Sequence, residues 1–224
     1  MATKDELVSV EEASRLLDVS PQHVRRLADS GALARVARGV IDRASLDRYL
    51  NAQRRGRTRA WAEQTAWGAI ALLAGSDTDW LGPSQTSRIR RTLRDLDEPS
   101  DLLVRLRDRA STQTYTAHRA ALSRLRAIIA VSDPTMLGIV DANGSSLEGY
   151  IAADALEATV RDLALQQAAT GNVTLRATRF DFARVESIVT GSAVVAALDA
   201  ATSMDPRIRG AGERALGSAL RAYK

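Results

Sequence analysis

Four side chains suited to reading nucleic-acid bases fall within five positions: Gln22, His23, Arg25 and Arg26. A glutamine amide or a guanidinium fork pairs bidentately with purine edges in the major groove, and arginines beside them neutralise phosphates. Elsewhere, residues that do chemistry are sparse. The chain has no cysteine and two histidines, His23 and His118, far apart in sequence. A disulfide framework, a thiolate metal site and a thiol nucleophile are therefore excluded. No metal-ligand spacing, glycine-rich phosphate loop or serine nucleophile elbow occurs. His118 reads as a packed or surface histidine.

One pattern invites a nucleotidyl-transfer reading, in which a Gly-Ser pair grips phosphate. Two aspartates one residue apart, about ten residues further on, would then hold magnesium. Gly75-Ser76-Asp77-Thr78-Asp79 has both ingredients without the spacing between them. Gly144-Ser145 has a spacing that reaches Asp154, but no second aspartate accompanies it. The chain is accordingly expected to be non-catalytic, with no cofactor and no metal.

The elements that must position Gln22 to Arg26 are strongly marked. Ser9-Val10-Glu11-Glu12 is a capping box. It opens a short helix whose Ala13, Leu16 and Leu17 are expected to make an apolar stripe. Asp18-Val19 is the turn, and Ser20 caps a second helix with Pro21 in its first position, where a missing amide costs nothing. Val24 and Leu27 point inward, and Gly31 is the expected stop. Residues 32–42 read as two short strands around Arg38-Gly39, a wing with arginines near its tip. Asp42 caps a third helix, from Arg43 to Leu50, whose Leu46, Tyr49 and Leu50 face the core.

The segments SVEEASRLLDVS, SPQHVRRLADSGAL and VIDRASLDRYL resemble the excisionase and MerR-like winged helix-turn-helix domains. The resemblance implies binding of double-stranded DNA, with the second helix in the major groove and the wing on the backbone or minor groove. It implies base contact for Gln22, His23 and Arg26, backbone contact for Arg25, Arg35 and Arg38, and a place for Ser20 at the same interface. Beyond the module, Arg54, Arg55, Arg57 and Arg59 surround Gly56. They read either as a solvated linker or as an arm on phosphates or the minor groove, with Arg54 and Arg55 the candidate contacts.

From Ala60 the character changes. Helices are expected to end near Gly75, to start at Pro83, to run from Pro99 to about Arg109, and to span about Ala117 to Arg126. The second has Ile89, Leu93 and Leu96 inside and Arg88, Arg90, Arg91 and Arg94 outside. Leu137–Val140 and Leu147–Ile151 read as strands joined by a turn at Asp141–Gly144. A helix capped by Asp154 is expected to reach about Leu165. A strand then follows from Asn172 to Phe180. Two helices close the chain, Ser192 to Ala201 and Pro206 to Ala222, the second capped by Asp205. Trp61, Trp67 and Trp80 read as core. The fold class is thus mainly α with an α/β C-terminal domain. An N-terminal winged helix-turn-helix precedes a helical region and a small mixed or antiparallel sheet.

Length and charge agree with that division. The 224 residues suffice for two small domains, expected at 1–52 and 61–224 with a basic linker at 53–60. The net charge is +4, and 29 of the 31 basic residues are arginine. Residues 1–60 hold 12 basic against 8 acidic side chains, whereas residues 131–224 hold 9 against 11. The excess positive charge lies where phosphates are expected. No apolar run approaches the ~20 residues of a membrane span, and no leader pattern begins the chain, so a cytoplasmic protein without a membrane partner is expected.

The second part is similar to the AbiEi family of antitoxins, in AWGAIALLAGSDTDWL, SQTSRIRRTL, GNVTLR and VVAALDAATSMDPRIRGAGERAL. That resemblance implies a type IV toxin–antitoxin system. Its antitoxin autoregulates its operon by binding operator DNA and counters a nucleotidyltransferase-type toxin encoded beside it. The alternative is a stand-alone transcription regulator whose C-terminal domain forms a homodimer or senses a ligand. A recombination-directionality factor of excisionase type fits less well, because such factors are little more than the DNA module.

Overall fold

The structure, a computed structural model, describes residues 7–17, 19–29, 33, 35–37, 39–43, 45–46, 49, 59–139, 146–168, 171–203 and 205–224. The chain divides into two compact units, 1–59 and 60–224, each with its own core.

In the first unit α1 (Val10–Leu17) and α2 (Pro21–Asp29) stand beside a small sheet. Its strands, β1 (Leu7–Ser9), β2 (Arg35–Ala37) and β3 (Val40–Asp42), lie in the order β1-β3-β2 with antiparallel pairing. The start signals act as their chemistry requires. The Glu12 amide donates to Ser9 Oγ at 3.1 Å, the His23 amide to Ser20 Oγ at 3.3 Å, and the Ser45 amide to Asp42 Oδ2 at 2.7 Å. Gly39, with φ +80°, makes the turn between β2 and β3 that a side chain would strain. Arg43, Ser45, Leu46 and Tyr49 are helical, as expected of the third helix. Gly31, Arg38 and Leu50 lie outside the described residues.

Val8, Val10, Ala13, Leu17, Val24, Leu33, Ile41 and Leu46 form this unit's core. Leu16, expected inside, is 41% exposed. The buried stripe of α1 is Val10, Ala13 and Leu17, and Leu16 falls about 100° from Leu17 around a helix of 3.6 residues per turn. Strand β1 is an addition to the expected pattern. Three residues, the last of them the first of the capping box, are too few to show a two-residue period.

The second unit opens with α3 (Glu63–Leu73), α4 (Pro83–Asp95) and α5 (Pro99–Arg105), followed by a 3-10 turn at Arg107–Arg109. Then come β4 (Ser111–Thr116), α6 (Arg119–Arg126), a 3-10 turn at Pro134–Leu137, β5 (Leu147–Ala152), α7 (Leu156–Asp162), β6 (Gln166–Gln167) and β7 (Val173–Thr178). It ends in α8 (Phe182–Gly191), α9 (Ala193–Ala201) and α10 (Pro206–Tyr223). The sheet order is β5-β7-β4-β6. It is mixed: β5 runs parallel to β7, while β7 with β4 and β4 with β6 are antiparallel.

Each face of this sheet is covered. Leu147, Ile151, Val173 and Leu175 join Leu125, Ile129, Leu163 and Leu165 in one core. Tyr150 belongs to the other, with Trp67, Ile70, Leu93, Leu102, Leu198 and Leu216 from the helices. Trp67 is fully buried, meets Tyr150 edge-on at 5.3 Å, and donates from Nε1 to the Arg109 carbonyl at 3.0 Å. Trp61 and Trp80 pack at the margin of that core. Arg88, Arg90, Arg91 and Arg94 lie on the solvated face of α4, over buried Ile89 and Leu93.

Several expected elements are corrected. Leu137–Ile139 is not a strand: Pro134–Leu137 is a 3-10 turn, Asp133 Oδ1 caps it by accepting from the Thr135 amide, and Gly138 is left-handed at φ +70°. Val140 and the turn at 141–144 lie outside the described residues. The helix expected to reach Leu165 ends at Asp162, because Ala164 turns left-handed (φ +49°) and Gln166–Gln167 pair with β4. Strand β4, in STQTYT, and helix α8, whose Asp181 cap accepts from the Ala183 and Arg184 amides, are both additions.

Helices α9 and α10 cross closely enough to require a missing side chain. A Cβ on Gly212 would lie 2.3 Å from the Ala201 nitrogen and 2.6 Å from the Ala197 carbonyl oxygen. Backbone cannot yield as a side chain can, so Gly212→Ala should destabilise the protein by about 1–3 kcal/mol. Urea unfolding of the variant checks this, and an unchanged midpoint would contradict the close approach.

Candidate nucleic-acid interface

Helix α2 has one apolar and one polar side. Val24 is fully buried, and Leu27 and Ala28 pack against the same core. Gln22, Arg25, Arg26 and Asp29 are exposed, at the i, i+3, i+4, i+7 spacing that aligns side chains along one helical face. The fold therefore gathers two candidate base readers, Gln22 and Arg26, and one candidate backbone contact, Arg25, on a single solvent-facing stripe. Among the described residues Gln22 and Arg25 have no side-chain hydrogen-bond or ion-pair partner.

His23 is half-buried at the edge of that stripe, and its Nδ1 lies 3.4 Å from Arg26 Nη2. At that length the contact orients Arg26 more than it holds it. The Ser20 hydroxyl is engaged as the α2 cap, beside the helix N-terminus where an incoming phosphate would sit. Arg35 reaches from β2 to Asp29 and pairs with its carboxylate. The wing strand is thus tied to the C-terminal end of α2, and one basic group near the stripe is already matched by an acid. Spacing in sequence gave no sign of this pair, which joins a helix to a strand. Arg38, Arg54 and Arg55 lie outside the described residues.

The residues of the nucleotidyl-transfer pattern have structural partners. Asp77 Oδ1 accepts from the Thr78 amide at 2.7 Å, and Asp79 pairs with Arg184. That hydrogen-bonded guanidinium holds Asp79 below the usual carboxylate range. His118 caps α6, its Nδ1 accepting from the Ala120 amide at 3.2 Å.

A profile of the helix-turn-helix domain family matches residues 7–54, the stretch that runs from β1 through both helices and the wing strands. No match was found among curated proteins or among solved structures. The chain thus carries an N-terminal helix-turn-helix domain, a fold whose role points to DNA as a partner. Among the described residues no helix is long and apolar enough to cross a membrane.

The Arg35–Asp29 pair yields a prediction. Asp29→Ala removes a negative charge from the stripe and releases Arg35 towards phosphate. Duplex affinity should rise several-fold at low salt, and the salt dependence should steepen by roughly one counterion. Fluorescence anisotropy across a sodium chloride series measures both, and an unchanged slope would mean that Arg35 never meets the backbone.

Proposed function

We propose that this chain is a DNA-binding antitoxin that autoregulates its operon and neutralises a nucleotidyltransferase-type toxin. Residues 7–54 would supply the address and residues 61–224 the opposition to the toxin. The observation that carries the DNA half is the exposed stripe of α2, where Gln22, Arg25 and Arg26 lie together at the start of a capped second helix. Gln22 and Arg26 would read base edges, with His23 beside them, and Arg25, Arg35 and Arg38 would contact the backbone. Arg54 and Arg55 would extend the contact past the module. The antitoxin half is supported by the order of segments from Trp61 onward, which resembles the AbiEi family. In this reading the protein works in the cytoplasm, on double-stranded operator DNA, and is not itself an enzyme.

A second reading is a stand-alone regulator whose C-terminal domain dimerises or senses a ligand. It is favoured by a buried, charged cluster that lines a cleft in the second unit.

Two substitutions separate base reading from phosphate contact. Arg26→Ala should weaken operator binding by about 1–3 kcal/mol and relax base preference, whereas Arg25→Ala should weaken all duplexes alike and flatten the salt dependence. Gel-shift titration on operator and scrambled duplexes checks both, and equal affinity of the two variants and the parent would refute the interface. Co-expression with the neighbouring nucleotidyltransferase tests the antitoxin half. Relief of growth arrest is expected, and persistent arrest would leave the regulator reading in its place.

A further inference from the structure

The strand pattern of β7 alternates Val173, Leu175 and Ala177 with Thr174, Arg176 and Thr178, as if one face met water. Instead Arg176 is only 6% exposed. Its face of the sheet also carries Tyr150 and Glu148 from β5, where Tyr150 is the register partner of Arg176 and Glu148 that of Thr174. Thr112 of β4 is the register partner on the other side of Arg176. Over this face lie Arg109, also 6% exposed, and Asp199 of α9.

Both oxygens of Asp199 are engaged. Its Oδ1 accepts from the Tyr150 hydroxyl at 2.7 Å and from Arg109 Nη2 at 3.1 Å, with Arg176 Nε at 3.5 Å. Its Oδ2 accepts from Ser132 Oγ at 2.9 Å. Burial pushes the Tyr150 hydroxyl well above the ordinary phenol range, so it stays a proton donor. Two buried guanidiniums therefore share one buried carboxylate. The second acid, Glu148, is half-exposed and accepts from Arg176 Nη2 at 2.9 Å. Arg176 Nη1 is buried with no acceptor among the described residues.

A cluster serving packing alone would be charge-matched, satisfied and closed. This one holds two buried guanidiniums on a single inner carboxylate, leaves a buried donor of Arg176 unmet, and lines a cleft of about 310 Å³. Arg109 and Arg176 face Glu148 and Asp199 there, with the hydroxyls of Thr112, Thr174 and Ser203 on the same walls and Arg107, which pairs with Asp108, at the edge. Guanidinium forks and hydroxyl donors fit the oxygens of a carboxylate or phosphate. A second cleft of about 670 Å³ shares Glu148, Asp199 and Ser203 with the first and adds Val131, Ile139, Ala196 and Ile208. Together the two offer a polar end for an oxyanion and a less polar one for an organic body, within the usual size of small-molecule sites.

We propose that the cleft beside Arg109 and Arg176 is a binding site for a small organic anion, held by its carboxylate or phosphate group. Glu148, on the rim, occupies Arg176 in the absence of that ligand and competes with it. The site lies wholly within residues 60–224 and does not rest on the DNA-binding or antitoxin readings.

Thermal denaturation and calorimetric titration of the full chain test this, with inorganic phosphate, acetate and hexanoate as probes and sodium chloride at matched ionic strength as reference. At least one probe should raise the melting temperature by a few degrees, saturably, where chloride does not, because a ligand of the native state stabilises it. Phosphate against acetate distinguishes the head group, and hexanoate against acetate reports the less polar cleft. Glu148→Gln should tighten binding several-fold by removing the competitor, and Arg176→Gln should abolish it. Arg26→Ala should leave it unchanged, which keeps this test apart from that of the DNA interface. Shifts no larger than those of chloride would overturn the proposal. An affinity insensitive to Glu148→Gln would do so too, even if Arg176→Gln failed to fold.

Discussion

The larger unit is organised around the carboxylate of Asp199. Through it α9 is joined to β5 by Tyr150, to β7 by Arg176, to the turn after α5 by Arg109, and to the segment before the second 3-10 turn by Ser132. These groups are remote in sequence and none is apolar, yet together they determine how the helical layer sits on one face of the sheet. Removing one member would strand the others, since a buried guanidinium without its acid costs far more than a surface ion pair contributes. The apolar contacts around Trp67, Leu198 and Leu216 supply area, and the ionic cluster supplies register.

The smaller unit relies on local signals. Its two helices begin at serine caps, its wing turns at a left-handed glycine, and its third helix begins at Asp42. With Val24 turned fully inward, Gln22, Arg25 and Arg26 have only the solvent side to occupy. The binding face is thus a consequence of how α2 buries its apolar side, and Arg35 joins it only by crossing from the wing to Asp29.

These two modes of construction explain what could be read from residues alone. Caps and helical periodicity act within a few positions, so α1, α2, α4, α9 and α10 are legible, as are the reader residues of α2. The polar strand STQTYT lacks alternation of hydrophobicity, because β4 lies inside a sheet whose other strands supply the apolar surface. Helix α8 follows a strand after only three residues, and its pattern merges with that of α9. The pairing of Arg109 and Arg176 with Asp199 spans 90 residues in one case and is invisible to any local rule. The alternation of β7 is that of a strand with one solvated face, so nothing local marks Arg176 as buried.

The most direct measurement of the central claim is the affinity of the purified chain for the DNA upstream of its own gene, set against a scrambled duplex, over a range of salt. Binding through the α2 stripe predicts preference for the upstream sequence and a logarithm of affinity that falls linearly with the logarithm of salt. Absence of duplex binding at low salt, or equal affinity for the two sequences with no salt dependence, would contradict it.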